Sequence, residues 1–147
     1  MKKRILVMAS LLAVCSFAAT QVARAQEPMV VNIPFAFTAG DASLPAGEYR
    51  VQKMDGNGAV LLIRCTEPTA SAFVMTIGTQ AKGQQGRSKL IFNRYNDNYF
   101  LSQVWTAGYS SGRELRKTQR EKEIALSAKL ETQSQVILVA SVSPSKP

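Results

Sequence analysis

The side chains able to do chemistry in this sequence are a scatter of carboxylates, two cysteines and a knot of aromatic and basic residues. Histidine is missing from all 147 residues. The commonest general base and the commonest metal ligand are therefore lacking. His-dependent triads drop out, and no serine sits in a nucleophile-elbow context. Paired carboxylates need a separation of about 5–10 Å to act together. Asp41, Asp55 and Asp97 all fall in turn-like stretches, where Asp is common for backbone reasons. Glu114, Glu121 and Glu123 lie at or near a helix start, where the dipole favours anions. We assign no catalytic residue, no metal-ligand set and no cofactor. A carboxylate-based hydrolase needs two of these acids to converge in one cleft.

Glycine and charge point to no nucleotide. Gly78, Gly83 and Gly86 stand among polar residues and do not lead from a strand into a helix. The run Arg113, Arg116, Lys117, Arg120, Lys122 offers an anion or membrane-surface patch, but Glu114, Glu121 and Glu123 interrupt it, as on a solvated helix face. The aromatic knot is the candidate binding site. Tyr95, Tyr99, Phe100, Trp105 and Tyr109 lie within fifteen residues, flanked by Arg94 and Arg113. Arg94, Tyr95, Tyr99, Trp105, Tyr109 and Arg113 suit the lining of a pocket. Equally, they suit the core and cross-strand pairs of a single hairpin.

The elements that position these residues follow an export signal. Lys2, Lys3 and Arg4 precede an apolar run from Ile5 to Ala19, and Ala23-Arg24-Ala25 supplies small residues at positions −3 and −1. This order of charge, apolar run and small residues predicts a cleavable signal peptide over 1–25, cut between Ala25 and Gln26. The run is shorter than the roughly 20 residues a spanning helix needs. Leu12-Ala13-Val14-Cys15 is a weaker lipobox candidate, with Val14 where a small residue is expected. Cleavage predicts one domain over 26–147, exported to the periplasm or the outside medium, with no transmembrane segment left. Loss of Lys2, Lys3, Arg4 and Arg24 takes the 18 basic residues to 14 against 10 acidic ones, and the net charge from +8 to +4. That residual charge is ordinary, and nucleic acid is not implied as a partner. Cys15 leaves with the leader, so Cys65 has no partner for an internal disulfide, and the apolar core must hold the fold.

Period-two alternation predicts strands at 29–37, 48–54, 59–64, 72–77, 90–95, 99–105 and 135–142. Pro34 marks the first as an edge or bulged strand. Leu44-Pro45-Ala46-Gly47 and Asp55-Gly56-Asn57-Gly58 read as turns. The stretches 38–44, 78–87 and 106–112 read as loops, 78–87 a flexible one. A loop of two or of three residues after Tyr95 sets opposite registers, and the sequence is compatible with both. Thr118-Gln119-Arg120-Glu121 is a capping box that starts a helix from Gln119 to about Leu130, with Ile124, Ala125 and Ala128 on one side. The expected fold is mainly β: a single antiparallel sandwich or small barrel with one C-terminal helix before the last strand.

Phe35-Ala36-Phe37, Leu44-Pro45-Ala46-Gly47-Glu48-Tyr49-Arg50-Val51, Arg94-Tyr95-Asn96-Asp97-Asn98-Tyr99-Phe100-Leu101 and Gly112-Arg113-Glu114-Leu115 together resemble a group of exported bacterial proteins of unknown function. The resemblance implies export and a single domain, and it transfers no site residue. The expected role is that of a non-catalytic binding module for a small molecule, an envelope polymer or a protein. The alternative is a structural or assembly component of the envelope or surface, pairing through exposed strand edges.

Overall fold

The computed structural model describes residues 28–67, 69–128 and 133–142. The leader, its cleavage junction at Ala25 and Gln26, and the polar tail lie outside the described residues. In order, the strands are β1 (Met29–Ile33), β2 (Phe37–Ala39), β3 (Ala42–Leu44), β4 (Gly47–Lys53), β5 (Val60–Cys65), β6 (Ala70–Met75), β7 (Ile77–Gln80), β8 (Lys89–Tyr95), β9 (Asn98–Trp105) and β10 (Ser111–Glu114). Helix α1 (Gln119–Ser127), β11 (Gln133–Val139) and β12 (Ser141–Val142) follow.

These strands form a sandwich of two sheets. Sheet A runs β12-β1-β4-β5-β6, and sheet B runs β11-β8-β9-β10-β7 with the β2–β3 hairpin attached to β9. Alternation decides which side of each strand is buried. Met29, Val31 and Ile33, Tyr49 and Val51, Leu61, Ile63 and Cys65, and Ala72 and Val74 turn inward from sheet A. Phe37, Leu90, Phe92, Leu101 and Val104 meet them from sheet B. Each Val, Leu, Ile, Phe or Met side chain among them contributes about 1.5–3 kcal/mol of transfer free energy when fully buried. The rings of Phe37, Tyr49 and Phe92 interlock edge to face at 5.1 and 5.4 Å.

The chain changes sheet four times, and three of the strands predicted as continuous break at such a point. The stretch 29–37 splits at Pro34–Ala36 into β1 on sheet A and β2 on sheet B. Pro34 therefore lies beyond β1, and β1 is an interior strand between β12 and β4, not an edge. The final strand splits at buried Ala140 into β11 and β12. The predicted strand 72–77 splits at Thr76 into β6 on sheet A and β7 on sheet B, and the fourth change is the Pro45–Ala46 turn from β3 to β4.

Other departures follow from turn chemistry and long-range pairing. The stretch expected as a loop at 38–44 contains the tight β2–β3 hairpin, turned by Gly40 at φ 60°. Part of the expected 78–87 loop is β7, paired with β10. Its remainder is pinned: Gln85 N–H donates to Tyr109 O at 3.0 Å, and Gly108 N–H to Gln85 O at 2.8 Å. Tyr95 pairs with Asn98, so the β8–β9 loop has two residues, with Asn96 at φ 54°. Asn is among the few non-glycine residues that tolerate this conformation. A bulge leaves Ser102 without a partner on β8, and its carbonyl accepts from Leu115 N–H at 2.8 Å.

Thr118 caps α1 by accepting from Glu121 N–H at 3.2 Å. The reciprocal half of the capping box is replaced. The Glu121 carboxylate accepts from Asn93 Nδ2 at 3.0 Å and from Tyr95 OH at 3.2 Å, tying the helix to the outer face of sheet B. Ile124, Ala125 and Ala128 pack there on Tyr95 and Phe100.

Candidate functional site

The aromatic knot disperses in three dimensions. Tyr95 is buried beneath α1, where burial raises its phenol above the ordinary pKa of 10, against an opposing pull from Lys117. Tyr99 stacks on Phe35 with centroids 3.9 Å apart, and the Arg94 guanidinium lies over the Tyr99 ring at 5.4 Å. Arg94 also donates from Nε to Asn96 O at 2.8 Å. Trp105 lies across Gly112 on the neighbouring strand, its indole N–H donating to Gln103 Oε1 at 2.9 Å. Tyr109 projects from the loop, 56% exposed. Arg113 donates from Nε to Thr76 Oγ1 at 2.9 Å and from Nη2 to Thr76 O at 3.2 Å, clamping the sheet-switching corner. Only Arg94 and Tyr99 meet. Tyr99 lines a shallow cleft of about 360 Å³ with Phe37, Leu44 and Asp97.

The segments that carry the resemblance are framework. Tyr49 OH reaches back to Pro45 O at 2.6 Å, and a Cβ on Gly47 would stand 2.8 Å from the Cys65 sulfur. Burial, with Cys65 alongside, holds the Tyr49 phenol well above the tyrosine range. Gly112, Arg113 and Leu115 serve Trp105, Thr76 and the core. Asn98 Nδ2 donates to Tyr95 O at 3.4 Å across the tight turn. These residues account for folding and leave function to be sought elsewhere.

The acids follow the turns. Asp55 accepts from Val60 N–H at 3.3 Å, Asp97 faces Arg94 at 4.0 Å in the β8–β9 turn, and Asp41 sits in the β2–β3 turn. Among the described residues no group of three or more Cys, Asp or Glu side chains is placed to hold a metal ion.

What the structure does assemble is an apolar surface on sheet A. Register places Met54 beside Val60 and Val60 beside Met75, while the next row runs Gln52, Leu62, Phe73. All of these apolar side chains lie on the face away from the core. Phe73 is 67%, Met75 82% and Met54 49% exposed, with Leu62 covered beneath them. Arg50, Arg64 and Ser71 form the next row.

This patch ends at an unpaired backbone. β6 pairs with β5 and with no other described strand. Thr76 N–H donates to Ala59 O at 2.7 Å, and Thr66 N–H to Glu48 O on the far side of β5. The antiparallel alternation set by these bonds turns the amides of Ala70, Ala72 and Val74 toward β5, and those of Ser71, Phe73 and Met75 outward. A groove of about 800 Å³ runs along this edge. Ala39, Ala42 and Leu115 line it opposite β6, with Asp41 as its acid and Arg116 as its base.

None of these residues belongs to the aromatic knot. The signal was present: Ser71, Phe73 and Met75 alternate with Ala72 and Val74, so the strand is apolar on both faces. Such a strand is either covered on both sides or presents a contact surface. No family model matches the chain, and no curated protein or solved structure shows significant similarity to it.

Proposed function

We propose that this chain is an exported, non-catalytic binding domain whose contact surface is the apolar patch of sheet A at β6. The observation that carries the reading is the clustering of Phe73, Met75 and Met54, all well exposed, beside one edge strand. Soluble domains keep contiguous apolar patches small, and larger ones mark interaction sites. The leader Lys2–Ala25 supports export, and the patch suits an apolar partner in that compartment. Native mass spectrometry of the protein recovered from its own host tests both parts. A chain lacking residues 1–25, carrying a non-covalent partner that Phe73→Lys loses, is the expected result. A bare single chain, or one retaining Met1, overturns it.

A second reading, an assembly component of the envelope or surface, draws on the strand edges. β6 and β11 end their sheets, and both lack charge and proline, the devices that usually keep edges from pairing. On β11, Ile137 and Val139 are exposed. A component of this kind is expected to fractionate with envelope material in a β6-dependent manner. Full recovery of wild type in the soluble fraction, unchanged by Phe73→Lys, counts against it.

A further inference from the structure

We propose that the occupant of the β6 edge is a second copy of this chain, paired antiparallel through β6 so that the two A sheets run on as one. The proposal rests on the patch being a contact surface and names its partner.

The edge offers the amides and carbonyls of Ser71, Phe73 and Met75 (all odd positions) to whatever pairs with it. A second β6 offers the same set. A two-fold axis at Phe73 satisfies both at once: Phe73 faces Phe73 of the second copy, and Ser71 faces its Met75. A pairing displaced by one residue would set outward amides against inward ones, so the alternation excludes it.

Charge favours a copy of the same chain over a charged partner. The protein carries net positive charge, so most of its faces repel their equals. The β6 edge is an exception. Ala70–Met75 has no charged residue, and the groove beside it balances Asp41 against Arg116. In the two-fold register Arg64 and its equivalent are separated by three strand spacings across and four residues along, about 20 Å. That is beyond the Debye length of roughly 8 Å at physiological salt. Meanwhile Leu62 and Phe73 of one copy continue into Phe73 and Leu62 of the other, a single apolar row across the junction. The association also closes. Each copy spends its only β6, so pairing stops at two and does not propagate into a fibre.

Sedimentation of the purified mature chain, over concentrations from nanomolar to high micromolar, tests this. A reversible dimer is expected. Phe73→Lys sets two ammonium groups face to face and is expected to abolish it. Ser71→Pro removes an N–H that points away from β5, which an edge strand tolerates, and is expected to abolish the dimer with the circular dichroism and melting profile kept. Ile137→Lys, on the β11 edge, is expected to leave the dimer intact. A wild-type monomer throughout the range overturns the proposal, as does a dimer that survives both β6 variants. A monomer that still takes up a different partner on Phe73 sinks the self-pairing and spares the binding reading.

Discussion

At the scale of single residues, the segments most suggestive of a site are fitted to their neighbours. Gly112 shows how tightly. A Cβ there would stand 2.6 Å from the Trp105 ring, so Gly112→Ala is expected to cost about 1–3 kcal/mol in urea unfolding, as overpacking does. Gly83 has open space around it, and Gly83→Ala is expected to change the midpoint little. The tyrosines make a pH-dependent statement. Tyr49 and Tyr95 have phenols raised above 10 by burial. A raised pKa means that the folded chain keeps a proton which the unfolded chain gives up. Their stabilising contribution is full below the unfolded value and is lost as pH climbs through the folded one. The melting temperature is thus expected to begin a tyrosine-linked fall above about pH 10, and the fall is expected to be shallower in Tyr49→Phe. An identical fall in that variant would show that Tyr49 takes no part.

At the scale of elements, the corner at Thr76 is held by its own bonds to Ala59 and Gly58 and by one side chain from another strand. Arg113 binds both the hydroxyl and the carbonyl of Thr76 through two nitrogens of one planar group. Lysine cannot reproduce that fork. Arg113→Lys and Arg113→Ala are both expected to lose about 1.5–3 kcal/mol in chemical denaturation, in the range of charge-assisted hydrogen bonds. Full rescue by lysine would show that charge alone matters. The same corner shows what was legible in the sequence. Alternation located all seven predicted strand regions, and the Thr118 cap located the start of α1, because these signals are local. The corners were invisible, since the apolar pattern runs unbroken through Pro34–Ala36 and Ala140 while the chain passes from one sheet to the other. The candidate surface was missed for a related reason. Tyr95, Trp105 and Arg113 are polar-tipped and resemble site residues, yet their tips are spent on Glu121, Gln103 and Thr76. Phe73 and Met75 resemble core, and only pairing order shows that nothing described lies over them.

At the scale of the whole molecule, Cys65 serves as an internal reporter. It is 1% exposed at the end of β5, an interior strand of sheet A. Thiol labelling of protein recovered from its host is expected to find one cysteine, reacting only at the rate of global opening. A second reactive thiol would show that Cys15, and with it the leader, remains. The larger consequence concerns the order in which the fold can close. β1, the first described strand, lies between β4 and β12, with Met29 opposite Val142. Among the described strands, the first therefore has both its sides paired only once the last has joined the sheet. That junction is among the longest loop closures between the described strands, and its formation is expected to come late in folding.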